Sequence, residues 1–137
     1  MTRSYELLEH TADVGILARG DTREEAFAAA GEGLAEILGS WFPGRGEEHE
    51  VRIEGPDVEA LLVAWLDELL YLSEASDAVF GGFEVDRVEE TRLLARVRVA
   101  PRAGRALEGQ HVKAATYHRL RVAQEPPGWT ARVFLDV

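Results

Sequence analysis

The sequence contains no cysteine. Disulfide bridges, thiol nucleophiles and zinc sites with thiolate ligands are therefore all excluded. No apolar run approaches the roughly 18 residues that a membrane-spanning helix requires. The N-terminal residues also lack the charged, apolar and small-residue regions of a signal peptide. Together these absences predict a cytoplasmic protein that does not associate with a membrane.

Positive charge is scarce, because 15 Lys and Arg residues stand against 25 Asp and Glu residues, for a net charge of −10. Direct nucleic-acid binding draws most of its affinity from Lys and Arg on phosphates, so we expect no strong binding of RNA or DNA. Such a chain suits a cation or a basic partner. Lys113 is the single lysine; codon bias explains the arginine excess, yet a lone lysine can mark a position that arginine cannot serve.

The hydrophobic periodicity predicts two helices among several strands. Short strands are expected at residues 5–9 and 14–18. The first helix should begin with Thr22 and Glu25 as a capping box and end at Gly39.

The second helix follows Asp57 and carries an apolar stripe wide enough to be buried against a sheet. On this helix we expect Asp67 to point directly away from the stripe and Glu68 to lie at its edge.

The remaining sequence is typical of strands. Residues 112–123 predict one long strand, and the last strand places alternate residues from Trp129 to Val137 on one apolar face. Helices mixed with antiparallel strands indicate an α+β fold, with two helices packed on one face of a mixed or antiparallel sheet. The length of 137 residues predicts a single domain over residues 1–137.

Two polar segments are candidates for a functional site. His10, Thr11, Ala12 and Asp13 lie between the first two strands and form either a turn or a site. Residues 113–118, if extended, place Thr116 and His118 on one face and Lys113 and Tyr117 on the other. An ordinary amphipathic strand with a basic outer face explains this second segment equally well.

The end of the chain is a third candidate, because the Asp136 side chain lies next to the Val137 α-carboxylate. Clustered carboxylates repel one another, and a bound cation relieves the repulsion. Ligands that are all oxygen favour a hard ion such as Ca2+ or Mg2+. A solvated terminal acid is the alternative. The histidines show no metal-ligand spacing, and no nucleophile motif is present.

Four segments together resemble the archease family. They are HTADVG at 10–15, LL with WLDELLY at 61–71, VKAATYH at 112–118, and the final strand from Trp129 to Asp136-Val137. They occur in order over essentially the whole chain. The loop at 102–111 is shorter than the usual family loop.

The resemblance implies a non-catalytic accessory protein of an RtcB-type RNA ligase. Such a protein promotes the GTP-dependent guanylylation of the ligase and its multiple turnover in tRNA splicing and RNA repair. The implied fold is an α+β domain related to the SHS2 module. The alternatives are a metal-dependent phosphohydrolase and a chaperone-like module that binds other proteins. The oligomeric state is left open.

The resemblance also implies which residues act. A divalent cation, Ca2+ or Mg2+, would be held by Asp13, Asp136 and the carboxylate of Val137. Lys113 would be functional, and we expect His10, Glu68 and His118 around the same surface. This arrangement requires the first and last strands to be neighbours.

Overall fold

The computed structural model describes residues 3–10 and 13–137, with His10 described by its backbone alone. Strands and helices follow one another along these residues in the order β1 (Ser4–His10), β2 (Asp13–Gly20), α1 (Arg23–Leu38), β3 (Glu47–Glu54), α2 (Val58–Ala75), β4 (Ala78–Val88), β5 (Arg92–Pro101), β6 (Ala114–Ala115), β7 (Arg121–Glu125) and β8 (Gly128–Asp136). Two helices packed against antiparallel sheets confirm the predicted α+β class.

The strands form two sheets, whereas the sequence suggested one. In the first sheet the order is β1-β2-β8-β6, and β7 also pairs with β8. In the second sheet the order is β3-β5-β4. β2 thus lies between β1 and the last strand, β8. The first and last strands are not neighbours, contrary to the prediction. The side chains of Ile16, Val133 and Leu135 are fully buried on the inner face of the first sheet.

Helix α1 begins and ends as predicted. The Thr22 hydroxyl accepts a hydrogen bond from the backbone N–H of Glu25 at 3.1 Å. Gly39 ends the helix with a φ of 72°, a left-handed conformation that glycine adopts without strain. Contacts with β2 and β4 place α1 against both sheets. Its many alanines suit this position, because a small side chain lets backbones approach closely.

Helix α2 supplies much of the core. The Asp57 carboxylate accepts a hydrogen bond from the Ala60 N–H at 2.8 Å and so caps the helix, as predicted. The predicted apolar stripe is buried, and Leu61, Trp65 and Leu69 are fully inaccessible. The indole Nε1 of Trp65 donates to the Phe27 carbonyl at 2.9 Å. This bond joins the two helices and satisfies the polar atom of the largest core side chain.

Asp67 makes a contact that the sequence did not predict. Its side chain is half-buried, and Oδ1 accepts a hydrogen bond from the Ala115 N–H at 2.9 Å. Ala115 lies in β6, at the edge of the first sheet, and the inner neighbour of β6 is β8. The Ala115 N–H therefore needs an acceptor outside the sheet. Asp67 supplies it from the helix.

The prediction of one long strand at residues 112–123 is wrong. Only Ala114–Ala115 pairs as β6, and a turn precedes β7 at Arg121–Glu125. In this turn the Leu120 N–H donates to the Tyr117 carbonyl at 3.3 Å, and Arg119 has a positive φ of 53°. The assignment of faces by strict alternation between Lys113 and His118 fails for the same reason.

Candidate functional site

Two carboxylates meet at one end of the first sheet. Strand β2 begins at Asp13, strand β8 ends at Asp136, and the antiparallel register places these residues directly opposite each other. Side chains opposite each other in such a pair project from the same face, with Cβ atoms about 4.5–5.5 Å apart. Val137 follows at once. The structure thus brings Asp13 and Asp136 together, through the second strand and not the first.

The segment before Asp13 is only partly described. The backbone of His10 pairs with that of Asp13 across β1 and β2, which puts His10 at the same end of the sheet. The side chain of His10, together with Thr11 and Ala12, lies outside the described residues. Its predicted part in the surface therefore stays a prediction.

Lys113 lies beside the acidic pair. Its backbone N–H donates to the Asp136 carbonyl at 2.8 Å, and Ala114 is the register partner of Asp136 on β6. The Lys113 side chain is exposed. Asp136 is therefore flanked by Asp13 on one neighbouring strand and by the lysine segment on the other. The backbone of Lys113 is therefore fixed next to two opposed aspartates at the end of three strands.

His118 is placed by the turn after β6 and by an aromatic ring. Both the N–H and the hydroxyl of Thr116 donate to the Phe134 carbonyl at 2.9 Å. The His118 N–H donates in turn to the Thr116 hydroxyl at 3.3 Å. The imidazole packs edge-on against the Phe134 ring, with 5.8 Å between centroids. His118 thus lies on the outer side of β8, the side on which Asp136 also projects.

Glu68 occupies a different position from that of Asp67. It is half-buried on α2, and consecutive helical side chains point about 100° apart, so it does not share the contact of Asp67 with β6. Among the described residues, no hydrogen bond or ion pair joins the Glu68 side chain to the acidic pair, and only the helix itself links them. Its role in a common surface stays a prediction.

Gly15 and Phe134 form a feature that the sequence reasoning missed. Phe134 lies on the face of the last strand opposite the predicted apolar one, yet it is only 4% exposed. Gly15 is its register partner, and a Cβ at Gly15 would lie 2.7 Å from Cε1 of the ring. The Phe134 ring therefore packs directly against the backbone of Gly15. A glycine inside a strand is the sequence signal for such a close approach.

The donor atoms of the acidic pair fit a hard cation. Carboxylate oxygens are what Ca2+ and Mg2+ prefer, and the set contains no soft ligand. Within the described part of the chain, no cluster of three or more His, Asp or Glu side chains is arranged to hold a metal ion. If an ion binds at this point, Asp13 and Asp136 would offer it two side-chain carboxylates, beside whatever Val137 adds.

Comparison with known proteins agrees with this arrangement of segments. A family model described as the archease protein family (MTH1598/TM1083) matches residues 5–137. The archease of Methanosarcina mazei is 36% identical over 141 residues, which cover 98% of this chain and 97% of the relative. The archease of Thermococcus gammatolerans is 38% identical over 143 residues, covering 98% and 99%. The chain belongs to the archease family.

Solved structures share the fold. The solution structure of Methanobacterium thermoautotrophicum protein 1598 superimposes with a TM-score of 0.76 at 29% identity, covering 97% of this chain and 98% of that one. The crystal structure of a Thermotoga maritima protein, described as an archease and possible chaperone, has a TM-score of 0.65 at 21% identity, covering 95% and 94%. In the described chain, no helix has both the length and the apolar character that a membrane crossing requires.

Proposed function

We propose that this protein is an accessory factor of an RtcB-type RNA ligase. It promotes the GTP-dependent guanylylation of the ligase and its repeated turnover in tRNA splicing and RNA repair, and the ligase performs the catalysis. Membership of the archease family supports the proposal. The observation that carries it is the register of β2 and β8, which sets Asp13 opposite Asp136.

The acidic pair has a physical reason to bind a cation. Like charges directly opposite each other in an antiparallel pair destabilise the sheet, and a divalent cation removes that repulsion. We assign Asp13 and Asp136 as ligands of Ca2+ or Mg2+, and the family resemblance adds the Val137 carboxylate. When bound, such an ion supplies positive charge for a phosphate oxygen. The carboxylates fix its position relative to the sheet.

Charge also accounts for recognition of the ligase. A net charge of −10 favours encounter with a basic surface, such as one that binds RNA and a nucleotide. The exposed Lys113, held beside Asp136 by its backbone, supplies a compact positive charge for a phosphate. We therefore propose that the sheet end with Asp13, Asp136 and Lys113 faces the nucleotide site of the ligase.

The test is guanylylation of the cognate ligase by GTP, with and without the full chain. Asp13→Asn and Asp136→Asn should each abolish the stimulation while leaving the circular dichroism spectrum unchanged. Glu47→Gln is the matched control, since it removes one exposed carboxylate from β3, in the other sheet, and should stimulate normally. Full stimulation by both aspartate variants would refute the role of the acidic pair.

A second candidate function is the holding of other proteins. The Thermotoga relative is described as a possible chaperone, and Tyr71 and Tyr117 are 64% and 66% exposed. This function predicts that aggregation of a client protein is suppressed equally by wild type and by Asp136→Asn. Ligase activation predicts instead that wild type and Asp136→Asn differ in their stimulation of guanylylation.

The phosphohydrolase alternative has its own test. The purified chain with Mg2+ should hydrolyse no phosphoester in the absence of the ligase, and turnover would support that alternative.

A further inference from the structure

A pocket of about 510 Å3 opens between the C-terminal ends of the two helices and the loop that precedes Lys113. Its apolar lining comes from Leu38, Leu70 and Leu107. Its charged lining comes from Glu74, Asp77 and Arg102. The volume is that of a site for a small molecule or for one long side chain with part of its backbone.

Both helices direct negative potential into this pocket. Leu38 is the last residue of α1, and Glu74 lies in the last turn of α2. The C-terminus of a helix carries the equivalent of about half a negative charge. Neither helix has a basic residue in its last turn to offset it. Part of this potential is already met, because the Gln110 N–H donates to the Ile37 carbonyl at 2.7 Å and Arg102 donates to the Ser73 carbonyl at 3.3 Å.

Arg102 supplies the positive charge of the lining, and its amines are already engaged. One Nη donates to the Ser73 carbonyl at 3.3 Å, and the other lies 3.4 Å from the Asp77 carboxylate. Its Nε is buried and has no acceptor among the described residues. Arg102 thus offsets Asp77 and the end of α2. The Glu74 carboxylate makes no ion pair or hydrogen bond with the described chain, so a negative charge is left over.

An aromatic ring lies beside the pocket, outside its lining. Tyr71 precedes Glu74 by three positions, and residues at this spacing are neighbours on a helix surface. Its side chain is 64% exposed, which leaves the ring available to a partner. An arginine side chain suits these surroundings, which are the leucine side chains of the lining, the Glu74 carboxylate and the neighbouring Tyr71 ring. The stem packs on leucine, and the guanidinium pairs with the acid and stacks on the ring.

The pocket is continuous with the proposed site. Asp67 contacts Ala115, and Glu74 shares the pocket with His111, so the segment carrying Lys113 runs along this stretch of α2. Asp67 and Glu74 are two helical turns apart, or about 10 Å. A partner side chain in the pocket would therefore lie about two helical turns from the contact between Asp67 and Ala115.

We propose that this pocket receives an arginine side chain of a basic segment of the partner, with the guanidinium at Glu74 and Tyr71. The identity of that partner rests on the proposed function. The chemistry of the pocket does not, because it follows from the leucine side chains of the lining and the unpaired Glu74 carboxylate.

The pocket is tested with the peptide Ac-Gly-Arg-Gly-NH2, titrated into the full chain while backbone amide shifts are followed by NMR. We expect saturable shifts at Leu70, Ser73 and Gln110. Glu74→Gln should weaken binding roughly two- to fivefold, as for a partly exposed ion pair, and Glu47→Gln should not. Equal binding of the citrulline peptide, which lacks the charge, would refute the proposal. Preferential binding of Ac-Gly-Asp-Gly-NH2 would also refute it and would make Arg102 the recognising residue.

The ligase assay separates the two proposals. Tyr71→Ala and Glu74→Gln should raise the concentration of the chain that gives half-maximal guanylylation and leave the maximum unchanged. Asp136→Asn should lower the maximum. If the wild-type chain fails to stimulate the ligase, the proposed function falls and the peptide titration still decides the pocket. If the ligase responds but peptide binding does not depend on Glu74, only the pocket proposal falls.

Discussion

One position in each sheet shows a different arrangement of charge. On the outer face of the second sheet, Arg96 on β5 bonds to Asp86 at 2.8 Å and to Glu48 at 3.1 Å. Acid and base alternate there across three strands. At the end of the first sheet, the register instead sets one aspartate against another. The difference teaches what sets the acidic pair apart: within the described chain, Asp13 and Asp136 make no ion pair with an arginine such as the one that Asp86 and Glu48 share.

A second contrast concerns glycine. Gly15 on the first sheet is covered by the Phe134 ring, whereas a Cβ at Gly82 on the second sheet would meet only the flexible side chain of Arg98, at 3.6 Å. One glycine is required by packing beside the candidate site. The other lies on an open, solvated face.

The largest expected effect sharpens this second contrast. Gly15→Ala should lower the free energy of unfolding by about 1–3 kcal/mol, because the Phe134 ring must move away from the new methyl group. Gly82→Ala should change it by no more than about 0.5 kcal/mol. Urea denaturation of both variants measures the difference. Equal losses in the two variants would show that the ring does not depend on Gly15.

The next effect tests whether the opposed acids differ from the paired ones. At ten times its Kd, Ca2+ or Mg2+ should stabilise the wild-type chain by about 1.4 kcal/mol, since it binds only the folded state. Asp136→Asn on the first sheet should lose this gain, and Asp86→Asn on the second should keep it. Thermal denaturation with and without EDTA provides the measurement. A gain retained by Asp136→Asn would place the ion elsewhere.

The smallest effect belongs to the paired acids. The hydrogen bond from Arg96 holds the pKa of Asp86 below its ordinary value. A depressed carboxyl pKa adds stability above the unfolded pKa, of about 3.9 for aspartate, and this stability is lost as the pH falls through the folded value. Wild type should therefore exceed Asp86→Asn slightly at neutral pH and converge with it in acid. A constant gap down to low pH would contradict this account.

Local rules predicted the helices well. Thr22, Asp57 and Gly39 act through atoms only a few residues away, so their chemistry can be read from the sequence. The apolar stripe of α2 is likewise a property of one helix. These features identified the two helices and the α+β class.

The errors share a physical cause, which is contact between distant segments. The contact of Asp67 with the Ala115 amide, 48 positions later, could not be read from the helix alone. Phe134 is buried on the face opposite the predicted apolar one, where Gly15 leaves room for its ring. Spacing also could not divide the strands into two sheets, since strand order depends on the packing of α1 between them. Asp13 and Asp136 were expected to meet because the first and last strands are neighbours, but the strand that pairs with β8 is β2.

The bond between Asp67 and Ala115 ties the middle of a helix to the shortest strand of the fold. β6 contains two residues, so its own ladder holds it weakly, and Asp67 acts as its outer clamp. Lys113 lies two residues before Ala115, which Asp67 holds. The segment that carries Lys113 is therefore anchored from two sides, by the Asp67 carboxylate of α2 and by the Asp136 carbonyl of β8.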